Sequence, residues 1–355
     1  MNLYFKIRFP TLGQNLAFSI LCATSSTYAA DIDLPAYKSL TFSATHRPKP
    51  INASLWYPAA AKTSTMVIGE NAIFYGRSAY KGAGIAAGKY PLVIISHGSG
   101  GNMDGLAWLS SGLAQAGAIV LLMNHQGTMT GDSSPQRTIL FEERVADLRA
   151  ALDQILQNPQ FAPHIDTQQI SALGFSLGGA AVLQLAGVNF DRKAYADYCE
   201  RLGKAAVDCL FLSKGGVDVR KLPDTWEQSF HEPRIGKIIA VEPGFSYAMT
   251  EKSLKSIQNP VLLISLGNET QRWKAADLSE TGSNIINLIP QSEHATFAPA
   301  HHFTFLPECK PKGEQILAEE NDDPICTDPA GTNRAQIHQQ IIAKVSQFLG
   351  LPKLN

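Results

Sequence analysis

From residue 90 onward the chain alternates two kinds of apolar pattern. "YPLVIISHGSGGN" (90–102), "GAIVLLMNHQGTMTGDS" (117–133), "QISALGF" (169–175), "IGKIIAVEP" (235–243) and "PVLLISLGNE" (260–269) each hold a short apolar run that closes on glycine or polar residues. A strand buried on both faces has no solvent-facing alternate position, so such runs predict parallel strands followed by loops. "INASLWYPA" (51–59) and "HATFAPA", which begins at His294, alternate like half-buried strands. Between the runs, "MDGLAWLSSGLAQA" has helical spacing, and "FEERVADLRAALDQIL" (141–156) sets Val145, Leu148, Leu152 and Leu156 on one side. A further helix starts near Leu177, and "AQIHQQIIAKVSQFLG" (335–350) ends the pattern as another. Strand and helix alternating at this rhythm predict an α/β protein with a doubly wound, mostly parallel sheet.

One stretch breaks the rhythm. Residues 188–232 lie between the helix after residue 176 and the next strand, far more than the few residues of an ordinary connection. They are expected to form a helical lid over the cleft. The other reading is a surface excursion with no role there.

Composition narrows the class. Of 355 residues, 45% are hydrophobic and 17% charged, enough for a large core and unlike a disordered chain. A net charge of −1 argues against a nucleic-acid partner or a polybasic membrane surface. At the start, Lys6 and Arg8 precede a mildly apolar stretch and then "TYAAD", the make-up of a secretory signal over residues 1–29, with cleavage after Ala29 or Ala30. The apolar part is too short and too polar to span a bilayer, so no stable membrane insertion is expected after cleavage. Cys22 follows the bulky Leu21, a poor setting for lipidation. The remaining 30–355 reads as one domain, secreted or periplasmic. It holds Cys199, Cys209, Cys309 and Cys326, an even number for an oxidising compartment. Three pairings are possible, and the local one, 199 with 209 and 309 with 326, is expected because each pair sits within one loop-like stretch. Neither pair has the close spacing of a zinc site, so no metal is expected.

The candidate chemistry centres on "GFSLGG". Gly174 and Gly178 flank Ser176 two residues away on either side, between an apolar strand and a helix. Such a turn bends sharply and pushes the hydroxyl into a cleft, which is what a nucleophile needs. Acyl transfer also requires backbone N–H groups fixed about 3 Å from a developing oxyanion. Leu177 would supply one, and Ser99, in the turn after "HGSGG", the other. His97 is expected to brace that turn through hydrogen bonds.

The motifs "WYPA", "SHGSGG", "NHQGTMTGDS", "GFSLGG", "HHFTFLPEC" and "ICTDPAGTNRAQIH" resemble, in order and spacing, the α/β-hydrolase superfamily. Within it they resemble the secreted dienelactone-hydrolase-like and platelet-activating-factor-acetylhydrolase-like esterases, over nearly all of residues 50–350. True dienelactone hydrolases carry cysteine at the turn where this chain has Ser176, which favours ordinary ester hydrolysis. The resemblance implies a serine hydrolase that cleaves a small-molecule or lipid-like ester through an acyl-enzyme, with no cofactor. The superfamily order is nucleophile, acid, histidine. Its late histidine is sought among His294, His301, His302 and His338, and the "A-x-H-F-x-F-L" pattern of similar esterases falls on His302, with His301 as its packing neighbour. The acid follows one of two strands, which nominates Glu242 or else Glu269 or Asp277. The partial burial expected of Glu242 directly after "KIIAV", the turn at Pro243 and Gly244, and the position used by the acetylhydrolase-like group favour Glu242. A phospholipase-type or polyester-cleaving hydrolase with the same residues, and a non-catalytic binding protein on the same fold, are the alternatives.

Overall fold

The computed structural model describes residues 34–352, so the expected signal segment 1–29, its cleavage points and Cys22 lie outside the described residues. Twelve strands are formed among these: β1 (Ala36–Phe42), β2 (Ile51–Tyr57), β3 (Thr65–Ile68), β4 (Arg77–Lys81), β5 (Tyr90–Ser96), β6 (Ile119–Met123), β7 (Thr128–Met129), β8 (Asp132–Ser133), β9 (Ile165–Phe175), β10 (Lys237–Val241), β11 (Val261–Leu266) and β12 (Ser292–Phe297). Ten of them build one sheet in the order β12-β11-β10-β9-β5-β6-β2-β1-β4-β3. From β12 to β6 every neighbouring pair is parallel. The other end turns antiparallel where β2 joins β6 and β1, and where β3 joins β4.

Apart from the edge strand β12 and the first half of β9, the parallel strands are buried on both faces, and their side chains alternate between two cores. Leu92, Ile94, Ala172 and Ile238 face one core, which helices Phe141–Gln157 and Leu177–Leu185 cover. Val93, Ile95, Leu173 and Ile239 face the other, under helices Ala107–Gln115 and Arg334–Leu349. The period-two geometry of a strand splits each apolar run between the two layers, which is why these runs carry no polar alternate positions. The doubly wound expectation therefore holds.

The stretch 188–232 is helical, with helices Arg192–Leu202 and Val207–Lys214 and several single turns. The Cys199–Cys209 disulfide joins the two helices, so these cysteines lie in helices and not in a loop. Trp226 is fully buried against Phe141, Phe190 and Phe245, and its indole N–H donates to the Ile139 carbonyl at 2.8 Å. The stretch thus extends the core beside helix Phe141–Gln157. None of its residues lines the pocket at Ser176, whose walls come from elsewhere in the chain. No helix among the described residues is long and apolar enough to cross a membrane.

Candidate active site

Ser176 occupies the turn between β9 and helix Leu177–Leu185, at φ 55° and ψ −118°. A positive φ on a residue with a Cβ is strained and persists only where the surroundings impose it. Here the Ser176 N–H donates to the Val241 carbonyl at 2.9 Å, and the Gly244 N–H donates to the Ser176 carbonyl at 2.9 Å. The flanking glycines are needed for close approach. A Cβ on Gly174 would stand 2.0 Å from the Gly178 carbonyl oxygen, and one on Gly178 would stand 2.0 Å from that of Ser96.

His302 starts a short helical turn five residues beyond the end of β12. Its Nε2 lies 3.1 Å from Ser176 Oγ and its Nδ1 2.7 Å from Glu242 Oε2. A carboxylate only accepts, so Nδ1 carries the proton, and the Nε2 lone pair faces the hydroxyl. Glu242 follows β10 and is itself at positive φ, 42°. It is 1% exposed, and its Oε1 accepts the Leu266 N–H at 2.7 Å. The carboxylate therefore points one way only. Phe175 and Trp273 flank the imidazole, with ring centroids 4.7 and 4.5 Å away.

The other candidates are occupied elsewhere. Glu269 is exposed in the turn after β11, and Asp277 pairs with Arg272 and Ser279. His294 bonds Ser265, and His338 stacks on Trp108 while bonding the Thr304 carbonyl. His301 does more than pack against His302. Its Nδ1 accepts the Phe303 N–H, and its Nε2–H donates to the Thr327 carbonyl, tying the His302 turn to the segment around Thr327. Thr304, Asp328 and Arg334 reinforce that tie. Trp273 escaped the reading of the sequence. Its only signal was a large aromatic in the polar loop "GNETQRW".

Facing Ser176, the loop His97–Gly101 is held from both sides. Gly100 N–H donates to Thr128 O and Gly101 N–H to Gly98 O, and Thr130 bonds the Gly100 and Gly101 carbonyls. His97 braces it as expected: its Nδ1–H donates to Gly98 O at 2.7 Å, and its Nε2 accepts the His125 N–H. Burial and the nearby Arg144 hold the His97 imidazole well below its ordinary pKa, so it is neutral. Among the described residues, the Ser99 and Leu177 N–H groups donate to no protein acceptor.

The cavity over Ser176 measures about 480 Å³. One wall is the β3–β4 connection (Glu70, Ile73, Phe74), and the other is the segment from Leu306 to Ile325. The two walls are joined to each other: Tyr75 N–H donates to Glu308 O, and Lys310 N–H donates to Ile73 O. The Cys309–Cys326 disulfide closes the second wall. Among the described residues no group of three His, Cys, Asp or Glu could hold a metal ion.

No protein-family model matches the chain. The chain is 28% identical over 189 residues to cutinase cut1 of Thermobifida fusca, covering 52% of this chain and 55% of that protein. It is 31% identical over 107 residues to cutinase est2 of Thermobifida alba, covering 30% of this chain and 33% of that one. The chain thus spans about half the length, or less, of these curated relatives. Among solved structures, a ferulic acid esterase from Streptomyces cinnamoneus superposes over 92% of this chain and 94% of that chain, with a TM-score of 0.59 and 16% identity. The dienelactone-hydrolase-like and acetylhydrolase-like branches rest on the motifs alone. The parallel six-strand core, the serine turn after β9 and this superposition together give the chain the α/β-hydrolase fold.

Proposed function

We propose that the protein is a serine hydrolase that cleaves carboxylic esters through an acyl-enzyme. Ser176 is the nucleophile, His302 the general base and then acid, Glu242 the group that orients and stabilises the imidazolium, and the Ser99 and Leu177 N–H groups the oxyanion donors. The observation that carries this reading is the hydrogen-bonded line from Ser176 Oγ through His302 to Glu242, beside two N–H groups without protein acceptors. In it, His302 Nε2 takes the hydroxyl proton as Oγ attacks the ester carbonyl, and the carbonyl oxygen becomes an oxyanion between the two N–H groups. The imidazolium then protonates the leaving alkoxide. Water, deprotonated by the same nitrogen, releases the acid and restores Ser176. Phe175 and Trp273 keep the ring in plane for both transfers.

The similarity to cutinases supports a second reading, in which the ester is part of a polyester. A series of p-nitrophenyl esters of rising chain length, run beside a polyester film, tests both. Turnover of short esters with no film erosion supports the first reading, and release of soluble acids from the film supports the second. No turnover of any ester, and no fluorophosphonate labelling, would leave a binding protein on this fold. The two disulfides suit an oxidising compartment, and export by a signal segment is part of this proposal.

A further inference from the structure

Beneath the loop His97–Gly101 lies a buried charged cluster that the ester mechanism above does not use. Asp147, fully buried, is saturated: Oδ1 accepts from His46 Nε2 at 2.8 Å and Arg47 Nε at 2.7 Å, and Oδ2 from Arg47 Nη2 at 2.6 Å and His125 Nδ1 at 2.9 Å. Arg47 also bonds Glu143. Arg144, one turn from Asp147 and 2% exposed, is left without a carboxylate. Its guanidinium donates only to neutral acceptors, to the His97 carbonyl at 2.5 Å and Ser96 Oγ at 3.0 Å through Nη1, and to Thr128 Oγ1 at 2.6 Å through Nη2. Its Nε, also buried, has no partner among the described residues.

We propose that Arg144 is a positioning residue for the oxyanion loop, which holds the His97–Ser99 backbone in place and keeps behind it a buried positive charge that is hydrogen-bonded to no carboxylate. The proposal rests on the esterase reading of the same site. A neutral amide could also donate to this carbonyl, so what sets the guanidinium apart is its charge. A buried cation that no carboxylate bonds is costly, because the field of Asp147, acting only through space and opposed by Arg47, offsets the desolvation less than a direct ion pair would. Here a further negative charge arrives with the tetrahedral oxyanion, two residues along the loop from the carbonyl that Arg144 holds. A fixed charge of this kind favours the transition state over the neutral ester and needs no rearrangement at the moment of reaction. Thr128, which bonds both Arg144 and the Gly100 N–H, couples the guanidinium to the far side of the same loop.

The test uses the whole protein with p-nitrophenyl butyrate as substrate and butaneboronic acid as an inhibitor that becomes a tetrahedral anion on serine. Arg144→Met, which keeps most of the side chain's volume, is expected to lower kcat by about 10²–10³-fold, the scale of losing one oxyanion donor, and to leave KM within about threefold. The boronate inhibition constant should rise in step with the fall in kcat/KM. Arg144→Lys, which keeps the charge, should recover at least about tenfold of the loss. If Arg144→Met shows no cooperative melting, Thr128→Val decides, expected to lose about threefold to tenfold in kcat at unchanged KM. A folded Arg144→Met with near wild-type kcat overturns the proposal, as does a loss of kcat that leaves boronate affinity unchanged. If Thr128→Val, folded, keeps wild-type kcat, that overturns it too. A wild type that turns over no ester overturns the esterase reading and this proposal with it, an outcome distinct from an active wild type with an unaffected variant.

Discussion

Glu242 reaches out of β10 to accept the backbone N–H of Leu266, the last residue of β11. One carboxylate oxygen is thereby fixed to the neighbouring strand, and the other is left at 2.7 Å from His302. The two strand ends that compete for the acid are joined by the side chain of one of them. Glu269, three residues past Leu266, faces solvent.

That relation predicts an unequal pair of mutants. Glu242→Gln is expected to lower kcat about 10³–10⁴-fold, because an amide neither stabilises the imidazolium nor holds its tautomer. Glu269→Gln should cost less than about tenfold. Steady-state kinetics of the two proteins check this, and the reverse ranking would reassign the acid.

The disulfides are expected to differ in what they control. They close loops of 10 and 17 residues, and loop-closure entropy makes each worth about 3 kcal/mol. Within the longer loop lie Leu317, Asp322, Asp323 and Ile325 of the pocket wall, whereas the 199–209 loop contributes none. Replacing Cys309 and Cys326 by alanine should therefore raise KM several-fold as well as lower the melting point. Replacing Cys199 and Cys209 should lower the melting point with KM within about twofold. Equal KM effects would show that the 188–232 insertion governs access after all.

Stability should fall on acidification before most carboxylates titrate. Burial, with the nearby Arg144, pushes His125 down from its ordinary 6.5 to about 4, and burial pushes His338 down to about 3. The native state resists protons that the unfolded chain takes up once the pH drops below 6.5. Stability is then lost progressively from there toward pH 4, by about 3 kcal/mol for His125 alone. Urea midpoints at pH 7, 5.5 and 4 measure this. His338→Phe, which keeps a ring on Trp108, should flatten the slope, and an unchanged slope would remove His338 from the account.

How much of this was legible in the sequence follows from what each residue type can conceal. The parallel strands showed because burial on both faces leaves nothing but apolar residues. Strands β1, β3 and β4 did not, since "TMVI" is only four residues, "AYKSLTF" and "RSAYK" carry charged residues, and all three are partly exposed. The Ser176 turn was readable from two glycines that close contact requires. The acid stayed ambiguous because the sequence cannot tell which strand end reaches the histidine, and the Glu242–His302 contact, with Glu269 facing solvent, separates them only in the fold. Arg144 and Asp147 were hidden by the rule that places charges on the outer face of an amphipathic helix. They lie on the inner face of helix Phe141–Gln157, beside Val145 and Leu148. The pocket walls were illegible too, because residues 69–74 and 306–325 meet only through folding.

The central claim is that Ser176 becomes acylated, and intact-mass spectrometry of the protein mixed with a slowly deacylating p-nitrophenyl ester tests it most directly. The account predicts a single added acyl group that peptide mapping places on Ser176. The group should vanish in Ser176→Ala together with at least about 10⁴-fold of kcat. An acyl group on another residue, or Ser176→Ala retaining a tenth of the wild-type rate, would contradict it.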